Sequence, residues 1–234
     1  MRTTLQKQRC RLPLWLLACL MIFCSMQARA TGDTWTYDAS ASTLTNGSVT
    51  LKNVTANDKK LTIGNNRDLS NITTLDLTGT INDSYAITAI GGYSFQNIGL
   101  TSITIPATVT EIGRAAFSGC KSLETVTFVD SPALTTITDG AFESCEKLKS
   151  ITIPASVTTL GKTAFYKCSA LETVTFATGT QLTKIEQQTF NYCTSLKSIT
   201  IPASIKEIGI NTFQGCIYNH RTTKTNQKYP SVNL

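Results

Sequence analysis

The sequence predicts an α/β repeat solenoid, in which short parallel strands alternate with short helical turns behind an N-terminal β cap. Two observations predict it. Phenylalanine recurs at Phe95, Phe117, Phe142, Phe165, Phe190 and Phe213, at spacings of 22, 25, 23, 25 and 23 residues. Between these positions, five-residue segments alternate strictly: Glu124-Thr-Val-Thr-Phe128, Lys149-Ser-Ile-Thr-Ile153, Glu172-Thr-Val-Thr-Phe176 and Lys197-Ser-Ile-Thr-Ile201. Alternation of β-branched residues with period two marks a half-buried strand. Every second coil carries two additional residues, as in Val129-Asp-Ser-Pro-Ala133 against Pro154-Ala-Ser156, so the unit of duplication is a pair of coils.

In chain order, residues 1–30 read as a secretory signal. Four basic residues within Met1 to Arg11 precede an apolar run from Leu12 to about Met26, and Ala28-Arg29-Ala30 supplies the small-x-small cleavage site, with cleavage expected after Ala30. The apolar run is shorter than the roughly 20 residues a spanning helix needs, so no stable membrane span is expected after cleavage. Lipidation at Cys19 is the alternative, but strongly apolar residues follow that cysteine. Residues 31–70 read as the β cap, with strand-like runs at Trp35 to Tyr37, Val49 to Val54 and Leu61 to Ile63 separated by Asn-Gly and Asn-Asp turn signals. Residues 71–216 form the solenoid of about six coils, starting with an irregular strand at Leu75 to Leu77. Residues 217–234 form a polar, basic tail; no strand motif follows Cys216, so the last coil is expected to be open to self-association or covered by the tail or a partner.

No coil can bury its apolar side alone, and stacking the coils supplies the core. Eight residues before each Phe stand Ile87, Val109, Leu134, Val157, Leu182 and Ile205; five before stand Ile90, Ile112, Ile137, Leu160, Ile185 and Ile208. The pattern Leu-x-x-Ile-x-Ile-Pro-x-x-Val-x-x-Ile-Gly-x-x-Ala-Phe-x-x-Cys, carried by Leu100 to Cys120 and closely by Leu148 to Cys168, resembles the BspA-like bacterial leucine-rich repeats. That resemblance covers Leu75 to Cys216. It implies a leucine-rich-repeat solenoid, secreted or at the cell surface, of a kind associated with adhesion to extracellular-matrix proteins. It transfers no catalytic motif.

The composition excludes several functions. The formal charge of +6 vanishes almost entirely with the leader: without Arg2, Lys7, Arg9, Arg11 and Arg29, 16 of the 21 basic residues face 15 acidic ones. No nucleic-acid footprint remains. One histidine, His220, leaves no His-based metal site or catalytic dyad, and no nucleophile elbow or phosphate loop occurs, so no enzyme activity, metal or cofactor is expected. Cys120, Cys145, Cys168, Cys193 and Cys216 share one inward column, which suits free buried thiols better than disulfides. Asp139 reads as a helix start. Glu124, Lys149, Glu172 and Lys197 alternate in sign along one column, placing opposite charges on adjacent coils.

The candidate binding residues are the outward strand positions. Ser102, Thr125, Ser150, Thr173 and Ser198 form one column; Thr104, Thr127, Thr152, Thr175 and Thr200 form another, Thr throughout. One reading is structural: Thr is a good exposed strand residue whose hydroxyls pair across neighbours. The functional reading is a flat hydroxyl and methyl surface for an extracellular or surface protein, with a glycan as the alternative ligand; an ice-binding face is the third. At the level of the whole protein, a structural matrix component or a truncated relative without its own ligand is the alternative to a binding module.

Overall fold

The computed structural model describes residues 28–30 and 34–216, apart from 67, 70, 130 and 131. Most of the expected signal over residues 1–30, namely residues 1–27, and the tail from 217 lie outside the described residues. The N-terminal region contains β1 (Ala28–Ala30), β2 (Thr34–Asp38), β3 (Thr43–Thr45), β4 (Thr50–Leu51), β5 (Thr55–Asn57), β6 (Lys60–Ile63), β7 (Ile72–Asp76), β8 (Thr80–Ile81) and β9 (Ala86–Ile90). Strand β2 alternates in exposure, burying Trp35 and Tyr37, and pairs antiparallel with β3, which pairs with β4. The Asn46-Gly47 turn between β3 and β4 is held by the Asn46 carboxamide oxygen, which accepts from the N–H groups of Ser48 and Val49, and by Gly47 at φ 82°. Asp58 and Lys59, both at positive φ, close the β5–β6 hairpin, as a two-residue turn matching strand twist requires. Strand β6 then runs parallel to β9, and β2 parallel to β8. Asn82 fastens this region by accepting the Tyr37 N–H at 2.6 Å and donating to the Tyr37 carbonyl at 3.2 Å. In the full-length chain β1 lies parallel to β7, an edge strand that cleavage after Ala30 would remove.

Each later coil contributes a long and a short strand. These are β10 (Ser102–Ile105), β11 (Glu111–Ile112), β12 (Thr125–Phe128), β13 (Thr136–Ile137), β14 (Ser150–Ile153), β15 (Thr159–Leu160), β16 (Thr173–Phe176), β17 (Lys184–Ile185) and β18 (Glu207–Ile208). All their pairings are parallel and link successive coils. The short strands make an unbroken ladder from β9 through β11 and β13 to β15, then a second piece, β17–β18. The long strands pair as β7–β10–β12 and as β14–β16.

Two expectations need correction here. Lys197 to Ile201 forms no strand. The segments around the phenylalanines form no helix either; among the described residues the helical content is one 3₁₀ turn at Asn82–Ser84. The reason is a left-handed residue two before and two after each Phe, as with Thr163 (φ 54°) and Lys167 (φ 57°), or Gln188 (φ 56°) and Tyr192 (φ 57°). Those reversals turn alternate N–H groups out of the coil. Phe117, Phe142, Phe165 and Phe190 donate to the carbonyls of Ala141, Ala164, Thr189 and Thr212 in the next coil at 2.8–3.0 Å, while intervening amides close local turns, as Cys120 N–H does on the Phe117 carbonyl. The left-handed strain is offset by a second ladder between coils. Asp139 starts no helix: its carboxylate accepts the Lys162 N–H of the following coil at 2.8 Å.

The core is a set of columns running along the stack. Phe95, Phe117, Phe142, Phe165 and Phe190 are fully buried, and successive rings lie 5.1–5.5 Å apart with interplanar angles between 2° and 18°. Phe213 continues the column at 5.8 Å. Near-parallel rings at such spacings are offset stacks, the favourable arrangement for aromatic quadrupoles. The five cysteines among the described residues are free thiols, four buried and Cys216 half-buried. Each thiol donates to a phenylalanine carbonyl of the preceding coil: Cys120 to Phe95, Cys145 to Phe117, Cys168 to Phe142, Cys193 to Phe165 and Cys216 to Phe190. A small apolar residue that can also donate one hydrogen bond thus fits this position. Four residues before each Phe, Gly91 and Gly113 are followed by Thr138, Gly161, Glu186 and Gly209, so from Gly113 onward glycine recurs every second coil. A Cβ on Gly161 would fall 2.5 Å from the backbone of Thr138 and Asp139, so close approach of two coils requires glycine there.

Candidate functional site

The long strands present the outward Ser and Thr columns in register. Ser102 and Thr104 stand opposite Thr125 and Thr127, and Ser150 and Thr152 opposite Thr173 and Thr175. Their intervening residues point the other way: Ile103, Ile105, Ile151, Ile153 and Val174 are buried, which fixes the backbone under the outward side chains. Thr127, Ser150, Thr152, Thr173 and Thr175 are exposed, whereas Thr104 is half-buried. Thr200 is exposed but lies outside any strand, so it extends the column in sequence without joining the ladder. On the N-terminal side the Thr column ends in Asp76, opposite Thr104; the Asp76 carboxylate is engaged by the N–H and hydroxyl of Thr78.

The hydroxyls of this face bear on whether its threonines pair across the strands. Among the described residues, those of Thr104, Thr127, Thr152 and Thr175 make no hydrogen bond within the protein, so they do not pair across the strands. A different threonine column does. Thr88, Thr110, Thr135 and Thr158, seven residues before successive phenylalanines, donate their hydroxyls to the carbonyls of Leu61, Thr88, Thr110 and Thr135 in preceding coils. That column escaped the sequence reading, although counting back from each Phe would have found it. One set of threonines thus spends its hydroxyls on the scaffold, and the other leaves them to solvent or a partner.

The flanking charges are less regular than their sequence. Lys149 pairs with Glu124 at 3.1 Å, with both side chains well exposed, and no ion pair joins Glu172 to Lys149 or to Lys197 among the described residues. The expected alternating ladder is therefore one exposed bridge, a minor contributor to stability. Burial pushes the thiols of Cys120 and Cys168 up to about 12 and those of Cys145 and Cys193 well above the ordinary range. Burial favours their protonated form and shields them from solvent, which suits a packing role. No group of His, Cys, Asp and Glu able to hold a metal ion occurs among the described residues. No helix among them is long and apolar enough to cross a membrane. A separate open cleft of about 590 Å³ lies beside β8, lined by Leu77, Ile81, Tyr85, Ile87, Pro106 and Val129 among others, with no charged side chain in its wall among the described residues.

Short parallel strands, coils of near-constant length and a continuous inward column of apolar side chains define a repeat solenoid of the leucine-rich type. The BspA-type leucine-rich repeat model matches residues 88–220 in six copies, more than half of the chain, and the chain belongs to that family. Among solved structures it is similar to the pneumococcal vaccine antigen PcpA, at 24% identity and a TM-score of 0.62 over 75% of this chain and 48% of that one. A leucine-rich cell surface protein from Faecalibacterium prausnitzii is 31% identical, with a TM-score of 0.51 over 74% of this chain and 52% of that one. The leucine-rich repeat protein TpLRR from T. pallidum is 21% identical, with a TM-score of 0.53 over 70% of this chain and 85% of that one. The chain spans about half the length of the first two. None of the curated proteins matches it.

Proposed function

We propose that this protein is an exported, non-enzymatic binding module that mediates adhesion by engaging an extracellular or surface protein through the face formed by Ser150, Thr173, Thr104, Thr127, Thr152, Thr175 and Thr200. The observation that carries the reading is the set of unspent hydroxyls on strand pairs whose backbone is fixed by their buried side, because groups on an already ordered backbone lose little further freedom on binding. The family membership and the leucine-rich cell surface protein among the similar structures support placement at the cell surface. No charge stands in the Thr column between Thr104 and Thr175, which favours a neutral, hydrogen-bonding partner.

The test is an array of matrix proteins and neutral glycans probed with the chain and with the triple variant Thr127→Lys, Thr152→Lys, Thr175→Lys. Saturable binding to a matrix protein that weakens at least about tenfold in the triple variant, with circular dichroism unchanged, supports the reading. Unchanged affinity in the folded variant moves the site off this face, to the cleft beside β8 or the coil loops. Binding to glycans alone replaces the partner class, and no binding accompanied by ordered self-assembly favours a structural component instead.

A further inference from the structure

We infer that the solenoid flexes in two-coil steps, opening on its long-strand side where a strand ending in phenylalanine meets a strand followed by proline. Within a step, the long-strand ladder is complete. Thr125 and Val129 donate to the carbonyls of Thr101 and Ile105, and Thr173 and Ala177 to those of Lys149 and Ile153, at 2.9–3.3 Å. Between steps it lapses. No strand pairing joins Thr125–Phe128 to Ser150–Ile153, and no backbone hydrogen bond joins Thr173–Phe176 to residues 198–201, among the described residues.

The chemistry of two positions accounts for the lapse. Val129 and Ala177 each supply the N–H that closes a step, and the equivalent residues at the two open boundaries are Pro154 and Pro202, which have none. Proline alone is insufficient, since β7 and β10 remain paired from Thr74 to Asp76 although Pro106 follows β10. There the inward residue after the first strand is Leu77; at the open boundaries it is Phe128 or Phe176, bulkier rings that remain only partly buried. A missing last bond and an oversized inward side chain together part the strands.

The opening at the first boundary is one-sided. Across it the short strands stay paired, Glu111 with Thr136 and Thr136 with Thr159, and Phe117 N–H still reaches the Ala141 carbonyl at 2.8 Å. The Lys149–Glu124 bridge spans the start of the gap, leaving the Phe128 and Pro154 end to move. The rows Thr104–Thr127 and Thr152–Thr175 therefore keep fixed separations, while the distance between Thr127 and Thr152 varies. This device stands whether or not the face binds a partner.

Residue-resolved amide hydrogen exchange on the full chain tests it. The Ser150 and Thr152 amides should exchange about tenfold or more faster than those of Thr125, Thr127, Thr173 and Thr175, since their strand is not paired with the preceding one. Equal rates across the six amides would overturn the inference. The double variant Phe128→Leu with Pro154→Val supplies the smaller side chain and the missing N–H, and should bring Ser150 and Thr152 to within about twofold of Thr173. If that variant folds and the two amides remain fast, the assigned cause is wrong; if it does not fold, the wild-type comparison still decides whether the boundary opens.

Discussion

Replacing Phe165 by alanine removes a fully buried ring from the middle of the stack. Its neighbours Phe142 and Phe190 lie 5.3 and 5.5 Å away, centroid to centroid, and nearly parallel. A buried Phe→Ala change costs about 3–5 kcal/mol through lost transfer energy and the cavity left behind, and two stacking contacts at about 0.5–1.5 kcal/mol each push the value to the upper part of that range. The surrounding backbone cannot collapse to fill the hole. Phe165 N–H donates to Thr189 at 2.9 Å, and its carbonyl accepts both the Cys168 N–H and the Cys193 thiol, so the coils on either side hold their spacing. Urea melts of Phe165→Ala and of Phe213→Ala separate the contributions. Phe213 has one ring neighbour, at 5.8 Å, and should cost less. A loss below about 1 kcal/mol at Phe165 would refute the stacked core as the source of stability, because surface substitutions alone reach only about half that.

Two further outcomes follow from the core columns. Thiol titration of the native, non-reduced protein should find little reactivity, and denaturation should expose the five solenoid thiols. Unfolded thiols ionise near 9 while the folded ones stay protonated toward 12, so the unfolded chain sheds protons first and stability falls as pH rises through that window. Four buried thiols should together cost on the order of 5 kcal/mol between pH 7 and 10, and a Cys168→Ala variant that left the slope of stability against pH unchanged would remove the cysteines as its cause. Gly161→Ala drives a Cβ into the backbone of Thr138 and Asp139, which has no side chain to rotate away, and should destabilise by roughly 1–3 kcal/mol or more in the same melts. A neutral effect would mean that adjoining coils can separate there without loss.

The repeat was legible because its columns are built from residues of fixed size: one ring, one thiol and two branched aliphatics per coil recur whatever the loops do. The turns around the phenylalanines were not. Small and apolar residues just before, at and three after each Phe imitate helical spacing, while the left-handed positions carry Tyr, Ala, Thr, Gln, Asn, Ser, Lys and Gly in different coils. Hydrogen bonds to the neighbouring coil impose that conformation, and a local pattern does not contain them. For the strand face, the outward placement of Thr127, Thr152 and Thr175 follows from alternation alone. Whether their hydroxyls are spent does not, because that depends on which carbonyls the next coil offers. Prolines 154 and 202 read as turn openers in the sequence; their effect on the ladder emerges only when each is set beside Val129 and Ala177.

The ladder at the phenylalanine turns has a direction. Each Phe N–H faces the following coil and meets a carbonyl that faces back, from Phe95 bonded to Ala116 through to Phe190 bonded to Thr212. Every coil therefore carries a donor edge and an acceptor edge of the same shape, and the two edges of different coils are interchangeable. From Gly113 onward, Gly113, Gly161 and Gly209 add a parity to this polarity, the close approach recurring every second coil, although Gly91 and Gly113 stand in adjacent coils at the start of the array. Chains of this architecture can consequently lengthen or shorten by duplication or loss of whole pairs, with each new junction already complementary, whereas loss of the Gly161 coil alone would set Glu186 above Thr138, at a position where a Cβ meets backbone.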